Sequence, residues 1–289
     1  MISFFVILIS LIFLIFASYF DLRTGEIPEK VSRSYIFTIF FLAFIYSIFT
    51  LDYKPIFYSF IMGFIYFLFG YLTYHFGQWG GGDVKILSGI GISLGFLYSL
   101  NFKFQNSSTL PYYISYFVDM GVVMIPYLFI YGIFLGIKDR RVFKEFTKIL
   151  RNKKLIFAFA FSFLPFFIAL YFNLSKISLL YLSLPFFLLL SIYMKVIEDV
   201  ALTEVILVEH LREGDVIADE IFIGGKKISP RDINGLEQED VEKIKKLSAE
   251  GKFPREIKIK HGIKSVPILT LAFLFLVLYG NFLELFLIL

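Results

Sequence analysis

Apolar runs of membrane-crossing length alternate with short polar segments along most of the chain. The first is Ile2–Phe20, and others follow at about 34–51, 55–76, 84–100, 111–137, 155–172, 177–197 and 265–289. Each is near the ~20 apolar residues that a helix needs to span a bilayer. The pattern predicts an all-α polytopic membrane protein with about eight transmembrane helices. No basic segment precedes Ile2–Phe20 and no small-x-small cleavage site follows it, so it reads as a span and not as a signal peptide.

The periodicity changes between residues 198 and 264. Glu204–Leu211, Asp215–Ile223 and Glu256–Lys260 alternate apolar and polar residues as short strands do, and Gly224-Gly225 reads as a turn. Leu236–Ala249 places Val241, Ile244 and Leu247 on one face of an amphipathic helix. The expected organisation is a membrane domain over 1–197, a small soluble α+β insert over 198–264, and a C-terminal transmembrane helix over 265–289.

Composition agrees with the pattern. Of 289 residues 58% are apolar, against about 45–50% in soluble domains. Charge then orients the chain. With the N-terminus outside, the inner segments are about 21–33, 77–85, 138–154 and 195–264, and they hold every Lys and Arg except Lys54, Lys103 and Lys176. Such an asymmetry fixes topology by the positive-inside rule and puts the insert in the cytoplasm. The net charge of +4 points to no nucleic acid. With no cysteine and three scattered histidines, neither a thiolate nucleophile nor a metal-ligand spacing is present, and no cofactor is expected.

The chemistry that remains is carboxylate chemistry. Asp21 ends the first span, and Asp83 follows Gly80-Gly81-Gly82 at the start of the fourth. The topology places both at the cytoplasmic membrane face. An ionisable group at membrane depth is functional by default, although acids at helix ends are commonly just interfacial. Two aspartates brought to about 3 Å share one proton, so that one takes a proton from water while the other polarises a peptide carbonyl. Gly80 and Gly82 leave room for an extended substrate strand to reach the carboxylate.

Gly80-x-Gly82-Asp83, followed by Val84-Lys85-Ile86-Leu87-Ser88-Gly89-Ile90-Gly91 and Gly95, resembles the second signature of the type IV prepilin peptidases, whose archaeal branch includes the preflagellin peptidases. Asp21 with Ile27-Pro28 is similar to their first signature. The resemblance is good over residues 1–100 and thins beyond. It implies a GxGD aspartic protease with Asp21 and Asp83 as catalytic pair. Its substrates would be pilin-like or flagellin-like precursors, cut at the cytoplasmic face to release a short basic leader. Glu29 stands where many relatives carry Asn or Asp. The cysteine-bound zinc segment of some bacterial relatives is absent, which puts their methyltransferase activity in doubt.

Other residues carry weaker expectations. Lys85 is a candidate to tune Asp83 electrostatically or an inner-leaflet anchor. Trp79 fits an interfacial belt, His75 a hydrogen-bonded interfacial histidine, and Arg23 a support for the Asp21 loop. Asp119 falls in the outer half of its span and reads as a buried polar contact to a Tyr or Ser. Asn106-Ser107-Ser108 matches a glycosylation acceptor, a frequent chance match. The acidic run Glu198–Glu220 could attract basic leaders or be a solvated face. Two alternatives compete. A protease of the signal-peptide-peptidase or presenilin type would put its first aspartate one helix before the second, and would carry Pro-Ala-Leu. A cation- or proton-coupled transporter would put its carboxylates near the midplane.

Overall fold

A computed structural model describes residues 2–76, 79–104, 110–172, 181, 183–223, 225–229 and 235–282. In chain order the helices are α1 (Ile2–Thr24), α2 (Glu29–Thr50), α3 (Lys54–His75), α4 (Gly81–Ser99), α5 (Tyr112–Lys138), α6 (Arg140–Leu150), α7 (Lys153–Phe161), α8 (Leu164–Tyr171), α9 (Ser183–Val200), α10 (Gln238–Ala249) and α11 (Val266–Tyr279). The strands are β1 (Thr203–Leu207), β2 (Val216–Ile217), β3 (Ile221–Ile223), β4 (Lys226–Ile228) and β5 (Glu256–Lys260). The chain divides into two compact units, one of Met1–Tyr127 with Gly262–Leu289, the other of Leu128–Pro230 with Gly235–His261. The division falls within α5, one residue after its internal Pro126.

Among the described residues five stretches are long and apolar enough to cross a membrane: α1, α2, α3, α5 and Lys153–Tyr171. The last is broken between α7 and α8, where Pro165 cannot donate to the helix ladder and crowds the carbonyl four residues back. The other three expected spans differ from simple crossings. α4 carries Asp83, Lys85 and several glycines. The run at 177–197 begins outside the described residues and continues as α9, whose last turns hold Lys195, Glu198 and Asp199. The final run gives α11, only 14 residues long, and 283–289 lie outside the described residues, as do Asn106–Ser108 and Gly224. The architecture is that of a helical multi-pass membrane protein with a small sheet region.

The first unit is built around α4, buried almost without interruption from Asp83 to Leu97. Its glycines explain how. A Cβ on Gly91 would fall 2.6 Å from the Met62 carbonyl oxygen, and one on Gly95 would strike that of Tyr58, so α3 and α4 meet backbone to backbone. Polar groups turn inward. Ser93 on α4 bonds Ser10 of α1 at 2.9 Å and Tyr35 of α2 at 3.0 Å, and the Tyr116 hydroxyl donates to the Leu269 carbonyl of α11. Large apolar side chains such as Phe4, Leu8, Ile15, Phe37, Phe60 and Phe64 face outward. Apolar outside and hydrogen-bonded polar groups inside is the arrangement lipid demands.

The second unit holds the insert's own core. β5 lies between β1 and β2, antiparallel to both, and Val241 and Ile244 of α10 share a cluster with Ile217, Ile257 and Ile259. The expected strand Asp215–Ile223 is divided. β2 pairs with β5, whereas β3 turns away beyond Asp219-Glu220 to pair with β4. Glu204–Leu211 is likewise strand only to Leu207, because a 3-10 turn then buries Val208 and Leu211. In α6, Asp139 caps the helix by accepting from the Arg141 N–H, and the Arg141 guanidinium beside it holds its carboxyl below the usual carboxylate range. The apolar face of α6, with Val142 and Phe146, packs on Tyr193 and Ile197 of α9.

Candidate active site

Asp21 owes its place to the way α1 ends. Gly25 adopts a left-handed φ of 77° and its N–H bonds the Asp21 carbonyl at 2.9 Å, closing the helix. Pro28 then caps α2. Asp83 owes its place to the way α4 begins. Gly80 is the capping residue, and the Asp83 carboxylate reaches back to accept the Gly80 N–H at 2.8 Å. This is half of a capping box, since glycine has no side chain to return the bond.

The two carboxylates are both buried, 5% and 9% exposed, on helices α1 and α4 of the first unit. Asp21 is held at the start of α11. The Val266 N–H donates to Asp21 Oδ2 at 3.0 Å. The Lys264 ammonium lies near both aspartates, its tip over Gly25, where a Cβ would strike it. The Lys264 carbonyl accepts from the Tyr127 hydroxyl at 2.9 Å, which fixes the turn.

Several expected roles move. The Lys85 ammonium pairs with Glu29 at 2.9 Å. The space that Gly82 leaves is filled by Ile27, whose side chain would stand 2.9 Å from a Cβ there. The glycine therefore lets the α1–α2 loop close on α4. Gly80 adopts an ordinary φ of −84°, and a Cβ there would contact only Asp83. Trp79 packs edge-on against Phe69, His75 is exposed against Phe76, and Arg23 bonds the Tyr19 hydroxyl. Asp119 is buried as expected, but its partner is the backbone N–H of Phe282 at 3.0 Å, not a Tyr or Ser. Asp119 thus sits toward the opposite end of α11 from Asp21. Half of the acidic run's carboxylates are met by lysines of its own unit: Glu198 and Asp199 by Lys260, Asp219 by Lys258 and Glu220 by Lys227.

Missed by sequence reasoning was the start of α11, far along the chain from both signatures, where Lys264 lies over Gly25 and the Val266 N–H meets Asp21. A signal existed in Lys264-Ser265-Val266-Pro267, a serine before a helix whose second residue is proline. It reads as an ordinary helix start.

Residues 8–138, which contain both aspartates, match the type IV leader peptidase family. Prepilin peptidase EppA of Methanothermobacter thermautotrophicus is 22% identical over 362 aligned positions, covering 95% of this chain and 94% of that protein. No solved structure matches. Over residues 8–138, just under half of its length, the chain is similar to the type IV leader peptidase family.

Proposed function

We propose that this protein is a membrane-embedded aspartic endopeptidase that removes short basic leaders from pilin-like precursors at the cytoplasmic membrane face. Flagellin-like precursors are the alternative substrates. The observation that carries the proposal is the burial of two carboxylates, Asp21 and Asp83, at separate helix ends of one compact unit. One carboxylate takes a proton from water as its oxygen adds to the peptide carbonyl carbon, and the protonated partner donates to the carbonyl oxygen. Collapse of the tetrahedral intermediate breaks the C–N bond, and the amine leaves with a proton returned from the pair. Placement of the two aspartates on α1 and α4, with α2 and α3 between, disfavours the presenilin-type arrangement.

The test is incubation with a precursor carrying a basic leader, read by gel shift. Asp21→Asn and Asp83→Asn should each lower processing by at least about 100-fold, the scale of general acid–base catalysis, with the protein still folded in detergent. Wild-type processing by either variant would remove the proposal.

A further inference from the structure

We propose that the cavity at the end of α4 remote from Asp83 binds the phosphate of a phospholipid headgroup through Lys54 and Lys103. The site is separate from the peptidase reading, since it uses neither aspartate.

The positive charge of the chain is gathered on one side of its hydropathy pattern, and Lys54, Lys103 and Lys176 are the exceptions. Lys176 lies outside the described residues. The other two, far apart in sequence, line one cavity of about 930 Å³, a size usual for small-molecule sites. Nothing in the hydropathy pattern requires them to meet.

Two sharp turns bring them together. Leu51 closes α2 and Asn101 follows α4, and these are the non-glycine residues with left-handed backbones among the described residues, at φ of 52° and 50°. The Asp52 N–H returns to the Ser47 carbonyl at 3.2 Å and the Phe102 N–H to the Leu97 carbonyl at 3.2 Å, the wrapping that ends a helix. Lys54 then opens α3, and Lys103 leaves α4. Because α3 and α4 meet backbone to backbone at Tyr58 and Gly95, both lysines arrive at the same end of one closely packed pair.

Among the described residues neither ammonium forms an ion pair or a hydrogen bond. Asp52 also lines the cavity, but its Oδ1 accepts the Lys54 N–H at 3.0 Å and so serves the start of α3. A concave site with two uncompensated lysines favours an anion. The walls specify the kind. Tyr58, Tyr98 and Tyr112 line the same cavity, with the Tyr98 ring centroid 5.0 Å from that of Tyr58 and 6.2 Å from that of Tyr112. Tyrosine, apolar along its ring and polar at its tip, collects at the level of lipid headgroups. Phe57 and Phe60, on the same turns of α3, face outward. A free phosphate has no use for such walls. A phosphodiester does, with its glycerol against the tyrosines and its chains along the outward phenylalanines.

The full-length protein in neutral detergent is titrated with phosphatidylglycerol, and bound lipid is counted by native mass spectrometry. Wild type should hold a single lipid more tightly than any other. A lysine beside an anionic headgroup is worth about fivefold in affinity. Lys54→Gln combined with Lys103→Gln should therefore weaken that lipid about 25-fold, with the fold intact. Lys144→Gln combined with Lys153→Gln removes the same charge from α6 and α7 and should leave it bound. Diacylglycerol, which has the chains without the phosphate, should not compete, and inorganic phosphate at equal concentration should not displace the lipid. If the double variant does not fold, Lys103→Gln alone should still show the fivefold loss. Unchanged affinity in the folded lysine variant overturns the inference, as does an equal loss in the α6–α7 control, which would make the effect one of overall charge. Displacement by inorganic phosphate would make the free anion the ligand, and competition by diacylglycerol would make it the chains. Either result also overturns the assignment.

Discussion

Gly25 carries two constraints at once, a backbone that favours glycine and a lysine tip resting where a Cβ would stand. Gly25→Ala should cost about 1 kcal/mol from the left-handed backbone alone, seen as a lower unfolding temperature in detergent. It should also lower activity by displacing the Lys264 ammonium. Lys85 offers the opposite case. Its partner Glu29 is half-exposed, and exposed ion pairs contribute at most about 1 kcal/mol. Lys85→Met should therefore leave cleavage within about twofold of wild type, whereas a loss of tenfold or more would return Lys85 to the site. At this scale the two aspartates were legible because each sits in a local pattern, Asp21 before Ile27-Pro28 and Asp83 after the glycines. The Val266 N–H that meets Asp21 was not, because what brings it there is the folding back of α11, and nothing near it in sequence marks that contact.

Among the elements, α4 depends most on what it lacks. Gly91 and Gly95 admit the α3 backbone, so a side chain at either must push the helices apart. Gly95→Leu should destabilise the protein by about 3 kcal/mol, the upper end of ordinary overpacking, measured as earlier loss of helical signal on heating. An unaffected melt would show that α3 and α4 are not in backbone contact. The same glycines appear in the sequence as part of a motif, and their packing role is visible only against Tyr58 and Met62. Helix boundaries for α1 to α4 followed from hydropathy to within a few residues. The break at Pro165 and the division of Asp215–Ile223 into β2 and β3 did not, because a run of apolar residues conceals a helix break and alternation alone does not tell which sheet a strand joins.

For the whole molecule, the absence of cysteine makes topology directly measurable. If the active site faces the cytoplasm, a single cysteine at Lys148 should react with a membrane-impermeant maleimide only in inverted vesicles, and one at Lys103 only in intact cells. Labelling of both from one side would contradict the positive-inside assignment. The membrane class was legible from composition and run length together, as the outward-facing phenylalanines bear out. The division within α5 was not, because it is a matter of which residues pack together and leaves no change in hydropathy at Tyr127–Leu128.

The backbone contact between α3 and α4 has a mechanical consequence. Sliding either helix along the other would drive the Tyr58 and Met62 carbonyls into the α4 backbone, so Asp83 rides on a stiff pair. α1 and α11 are joined through hydroxyls and Asp21 itself, bonds that re-form after small displacements. Any change in the spacing of Asp21 and Asp83 therefore falls to α1 and α11, with Asp83 as the stationary point from which that travel is measured.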